Sequence, residues 1–380
     1  MRALDDARAT CERYLPGLLD ALAKHSLEEL ERPGSPAIGL FRSHGGPALV
    51  IPKTYSGLGA GPREAVDVTR ALAAASPSLA VATTMHHFSV ATLFSLADSL
   101  QSSGVEWALL EGIVEQNLLV ASGFSEGRTG RGILEPSMEA RLDEGGKGYR
   151  INGSKKPCSL SSSMDLLTAS VALPRPDGSA EMAVLLVPRE SEGLTVHPFW
   201  SSWALAGAES DELRLTDVLV DEQQVMRTEL GDSGELDELQ TVGFIWFEML
   251  ISASYLGIAS ALTERVVRAG RGSDSERAQL VTRLETAGLL LEGVARMIED
   301  GDKDNAALGK SLVARFGAQD AIGDTVRKAV ELLGGMAFIG SGDIGYLAAA
   351  SNGLSFHPPS RSAFAEPFVE HIAGKPLRLA

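Results

Sequence analysis

Cysteine is almost missing from this chain: Cys11 and Cys158 are the only two. Two thiols that far apart exclude a disulfide framework and any CxxC-type metal cluster, and they fit a reducing compartment. Positive charge is also short. Lys and Arg number 34 against 50 Asp and Glu, a formal net charge of −16, so a nucleic-acid backbone or an anionic membrane would meet a repulsive average field. No run of about 18 apolar residues is evident, and the N-terminal MRALDDARATCERY has no signal-peptide core. The reading is a cytoplasmic protein with no membrane or nucleic-acid partner. Internal repeats and low-complexity tracts are missing too. What remains is 44% hydrophobic and 22% charged, a balance that rules out a disordered chain.

At 380 residues the chain exceeds what one core usually supports, so two or three domains are expected. Residues 1–32 show helical spacing of Leu4, Ala7, Tyr14, Leu15, Leu18, Leu19 and Leu22. Further helices are predicted from Pro62 to Ala75, where Pro62 suits a first turn, over 77–100 and over Val105–Gln116. Near Asn117 the character changes. LLVASGF, MEARLD, GYRING, LLTASVAL, MAVLLVP, LTVHPF and DELRLTDVLV alternate with Gly- and Asn-rich turns up to about Val225. From Leu236 helical patterns return over 239–268, 276–300, 303–333 and 343–355, with small residues such as Gly257, Ala287 and Ala318 allowing close packing. The predicted class is α+β multidomain: an N-terminal helical domain (1–116), a central antiparallel β-barrel (117–230) and a C-terminal four-helix bundle (231–380).

Several residues carry chemical potential. Gly334 and Gly335 stop a helix and leave a turn that a ligand can approach closely. His357 precedes Pro358 and Pro359 in FHPPSR, which fixes its local geometry, and Arg361 ends that word as a candidate anion-holding group. Glu248 sits in the apolar run VGFIWFEMLISASYLG, where burial would raise its pKa; pairing with an arginine inside the bundle is the alternative. His86 and His87 lie on an apolar helix, either facing a substrate or as core imidazoles. Cys158 reads as a small buried filler.

Taken in order, five words of the chain resemble those of the acyl-CoA dehydrogenase superfamily. They are VIPKTYSGLGA, GFSEGRTGRG, YRINGSKKPCSLSSSMDLL, AGAESDELRLTDVLV and LGGMAFI. The resemblance spans nearly the whole chain. It implies FAD at a subunit interface, in a homodimer or homotetramer. On this resemblance Ser125 meets the flavin pyrimidine end, Ser159 approaches N5, and Gly334 and Gly335 form the dinucleotide turn. Arg131 takes the place of a flavin-contacting serine, Pro157 that of a ring-covering tryptophan, and Glu331 that of a glutamine. These departures imply altered flavin contacts, or FMN or a reduced flavin supplied by a partner. No metal is implied.

Dehydrogenation of an acyl thioester needs a carboxylate to take the α-proton. One family position for that base falls at or near His357. The other, counted back from Gly257, is Phe247, one residue before Glu248, and a one-residue step on a helix turns a side chain by about 100°. The leading expectation is α,β-dehydrogenation of an acyl-CoA or acyl-carrier-protein thioester with Glu248 and His357 as catalytic candidates and His87 and Arg361 as substrate contacts. FHPPSR also resembles the late histidine word of the flavin-dependent monooxygenase branch. There an imidazole of near-neutral pKa acts on the oxygen adduct of the reduced flavin, giving the alternative reading. A second alternative is a non-redox enzyme or binding protein with a degenerate flavin site.

Overall fold

The computed structural model describes residues 1–98, 104–127, 136–175, 180–227 and 238–379. The N-terminal helices are α1 (Arg2–Tyr14), α2 (Leu18–Leu22), α3 (Leu27–Glu31), α4 (Ala37–Ser43), α5 (Pro62–Ala75), α6 (Pro77–Ala97) and α7 (Val105–Gln116). The single helical stretch expected over 1–32 is thus three helices. Gly17 at φ 79° breaks the first junction, and a Ser26–Glu29 capping box restarts the chain at α3.

The strands are β1 (Val120–Gly123), β2 (Glu139–Leu142), β3 (Gly148–Cys158), β4 (Leu166–Pro174), β5 (Ala180–Pro188), β6 (Leu194–His197), β7 (Asp211–Asp221) and β8 (Val225–Arg227). They form one sheet in the order β6-β7-β3-β2-β4-β5-β8, with β1 on β4. Two features correct the expected antiparallel barrel: β6 and β8 end an open path, and β1–β4 and β2–β4 pair parallel. The parallel β1 edge is what α6 packs on.

The C-terminal part holds α8 (Glu238–Arg268), α9 (Asp274–Glu299), α10 (Asn305–Leu333), α11 (Gly335–Gly340), α12 (Gly342–Ala350) and α13 (Arg361–Ile372). Among the described residues the long helices α8, α9 and α10 make the bundle, the shorter α12 packs on α8 and α10, and α5 and α6 pack on α8. Gly257 permits the α5–α8 crossing, since a Cβ there would sit 2.4 Å from the Arg70 carbonyl oxygen and 2.5 Å from Ala73 Cβ. By length and composition α6 and most of α8 would suffice to cross a membrane, contrary to the sequence reading. Their apolar windows, however, are 72% and 100% buried inside the protein, so both serve as core helices.

His86 ties this core to the sheet. Val120 N–H donates to its Nδ1 at 3.0 Å, so Nε2 carries the proton and donates to the Pro47 carbonyl at 2.9 Å. A second proton has no acceptor, and burial pushes the imidazole down to about 4. A group depressed in the fold contributes stability that is present above its unfolded value near 6.5 and is lost as the pH falls through 4. Urea titrations from neutral pH down to about 4 therefore lose about 3 kcal/mol through this residue, and less in His86→Gln.

Candidate active site

The loop after β1 and the end of β3 are held together by Lys156 N–H donating to the Ser125 carbonyl at 2.9 Å. Glu126 anchors the same loop. Its carboxylate receives Lys155 Nζ at 2.7 Å and the Ser137 N–H at 2.9 Å, and these partners outweigh partial burial to hold it down at about 2. The consequence is that Ser125 and Ser159, far apart in sequence, face one cavity of about 320 Å³ between the sheet, α6 and α8. Ser159 Oγ lies 2.9 Å from Ser210 Oγ, whereas the Ser125 hydroxyl has no partner among the described residues.

The opposite wall belongs to the bundle. Phe88 on α6 and Phe244, Phe247 and Tyr255 on α8 line it together with Gly353, Phe356 and His357. His357 Nε2 is 2.9 Å from Tyr255 Oη, and Phe247 meets the imidazole edge to face at 6.1 Å between centroids. Burial first, then the Arg315 charge, pushes His357 down to about 3. This corrects the expected near-neutral imidazole: His357 is uncharged over the physiological range. Burial also raises the Tyr255 phenol, which stays protonated.

Arg315 on α10 positions this wall. Fully buried, it donates from Nε to Glu248 at 3.0 Å, and from Nη2 to the carbonyls of Leu354 at 2.7 Å and His357 at 3.2 Å. The turn that carries His357 is thereby clamped to the bundle. Gly353 admits the Tyr255 hydroxyl, because a Cβ there would lie 2.4 Å from it. Gly353→Ala displaces the Tyr255–His357 contact, and turnover falls about fivefold to tenfold, the worth of one hydrogen bond; steady-state kinetics on the purified variant reads this directly.

Several expected site residues lie elsewhere. Glu248 does not line the cavity; one helical step beyond Phe247, its carboxylate turns into the bundle against Arg315, and burial raises it. His87 is buried away from the cavity, edge-on to Phe41 and His86, so it contacts no substrate there. Arg361 is half exposed, paired with Asp320 at 2.6 Å and stacked on Phe316, also outside the cavity. Gly334, at φ 84°, and Gly335 join α10 to α11 with open space around them, likewise apart from the cavity walls. Glu331 pairs with Lys328 at 2.9 Å. Arg131 lies outside the described residues. Cys158 is buried, donates to the Ser122 carbonyl at 3.3 Å, and burial pushes its thiol up to about 12, so it is inert. Among the described residues no group of His, Cys, Asp and Glu could hold a metal ion.

Tyr255, Arg315 and Ser210 escaped the sequence reading. A buried arginine in α10's apolar stretch was the available signal for Arg315, since such a charge requires partners.

The acyl-CoA dehydrogenase middle-domain family matches residues 121–218. Isobutylamine N-hydroxylase of Streptomyces viridifaciens is 49% identical over 381 residues, covering 100% of both chains. The chain belongs to the acyl-CoA dehydrogenase superfamily. FMN-bound TdsC from Paenibacillus sp. A11-2, a dibenzothiophene monooxygenase, superposes with a TM-score of 0.80 at 18% identity, over 100% of this chain and 99% of that one. The prolyl acyl carrier protein oxidase AnaB superposes at 0.81 and 17%, over 97% and 99%. The chain is an atypical superfamily member and an enzyme of its flavoenzyme kind. Its relatives favour the oxygenase alternative over thioester dehydrogenation, which corrects the leading expectation.

The cavity's donor set fits a flavin ring. An apolar slot edged by the Ser125, Ser159 and Ser210 hydroxyls suits a flat heteroaromatic with a polar rim. Both serines expected to meet that ring lie on the cavity, as does Pro157 in the place of the expected tryptophan.

Proposed function

We propose that this enzyme is a reduced-flavin, O2-dependent monooxygenase that hydroxylates the nitrogen of a primary aliphatic amine. The observation that carries the reading is the absence of a carboxylate on the described cavity walls. Of the two places where a dehydrogenase keeps its base, one holds Phe247 and the other His357. A neutral imidazole held near 3 cannot take a thioester α-proton effectively, since the best base has a pKa near the working pH.

Ser125 and Ser159 would hold the flavin ring by its polar edge, with FMN or FAD as the bound form. When bound, the reduced flavin supplies the two electrons with which O2 gives one oxygen atom to nitrogen and the other to water. His357, oriented by Tyr255, would hold the amine nitrogen at the reacting end by a hydrogen bond from the neutral ring. Phe88, Phe244 and Phe247 keep water from the inner end. Met336 and Ile339 on α11 are 82% and 80% exposed, which supports an apolar contact between copies in a homodimer or homotetramer. A cytoplasmic setting suits the same reading.

The test is spectroscopic. Flavin-loaded enzyme is mixed with acyl thioesters, on CoA and on a carrier protein, without oxygen. The visible flavin absorbance stays unchanged, while reduced flavin, O2 and a primary amine together yield hydroxylamine. Bleaching by a thioester would restore the dehydrogenase.

A further inference from the structure

The cavity's charge pattern bears on the form in which a substrate enters. Among the described lining residues the ionisable groups are Arg227, Tyr255 and His357, with no Asp or Glu. Of the neighbouring carboxylates, Asp211 points at the backbone N–H groups of Phe199 and Trp200, and three others have cationic partners. Glu248 pairs with Arg315 behind His357, and Glu181 and Glu222 pair with Arg227 on the sheet side. An ammonium group placed here would lose its hydration and find no counter-ion among the described lining residues.

Resting on the oxygenase reading, we infer that the cavity binds its substrate as the uncharged free base of a short primary alkylamine. The alkyl group packs among Phe88, Phe244 and Phe247, and the nitrogen sits at His357. His357 Nε2 is engaged by Tyr255, and Nδ1 has no partner among the described residues. A neutral amine both donates and accepts, so it pairs with Nδ1 in either tautomer; an ammonium only donates. The chemistry asks for the same form, because the new N–O bond is made from the nitrogen lone pair, which protonation removes. The cavity of about 320 Å³ lies at the small end of ligand sites. Shared with a flavin ring, it leaves room for a few carbon atoms.

Calorimetric titration of the enzyme loaded with oxidised FMN, using isobutylamine at about pH 7, 8 and 9, tests this. An alkylammonium titrates near 10.4, as lysine does, so the free-base fraction rises about tenfold per pH step and the apparent Kd falls by the same factor. Isobutanol, of the same shape and uncharged throughout, controls for ionisation of the protein and binds independently of pH. An amine affinity that is flat or weakens with rising pH overturns the inference. Hydroxylamine formation from reduced flavin and O2 is assayed on the same preparation. Product with a flat affinity sinks the uncharged-amine inference alone, whereas neither binding nor product across primary amines sinks the oxygenase reading with it.

Discussion

His357→Ala lowers turnover by about tenfold to a hundredfold, since it removes the hydrogen-bonding group that orients the amine nitrogen. The fold survives, because Arg315 donates to the His357 carbonyl, which alanine keeps. A melting temperature near that of the native chain beside the lost turnover separates catalysis from unfolding. Tyr255→Phe removes the hydroxyl 2.9 Å from Nε2 and costs less, since the imidazole remains. The pH profile of the native enzyme adds an independent check. Because burial and Arg315 hold His357 near 3, the rate shows no inflection from this residue near 6.5. The same depression makes its contribution to stability full above 6.5 and lost as the pH falls toward 3.

Arg315→Leu has the largest effect on stability, about 3–5 kcal/mol of destabilisation by chemical denaturation. It strands Glu248, which is 1% exposed, unpairs the His357 carbonyl and leaves the Leu354 carbonyl only the His357 N–H at 3.4 Å. Glu248→Leu alone is comparably damaging for the mirrored reason, a guanidinium left buried without its counter-ion. The double variant Glu248→Leu with Arg315→Leu recovers part of the loss, since replacing a buried pair by packed apolar groups is often close to neutral. It does not recover turnover, because the clamp on the His357 turn is gone. A double variant as unstable as the sum of the two would show that the pair is not a coupled unit.

The order of helices, strands and helices was legible in the hydrophobic periodicities, which need only local sequence. The open, partly parallel sheet was not: the β1–β4 pairing joins segments over 40 residues apart, and strand patterns do not encode partners. In the site, Ser125, Ser159 and His357 could be found because each sits in a recognisable word. Glu248 shows how fine the margin is. The residue count pointed to Phe247, and the helix indeed turns Phe247 into the cavity and Glu248 into the bundle. His87 and Arg361 carried the right chemistry in the wrong places, which only tertiary packing reveals. Tyr255 and Arg315 act through partners 102 and 67 residues away, so no local pattern marks them.

The most direct test is the source of the oxygen atom in the product. With 18O-labelled O2, reduced FMN and isobutylamine, mass spectrometry of the hydroxylamine shows one labelled oxygen per molecule, and the native chain far exceeds His357→Ala in yield. An unlabelled product, or no oxygenated product while acyl thioesters bleach the bound flavin without oxygen, would contradict the account.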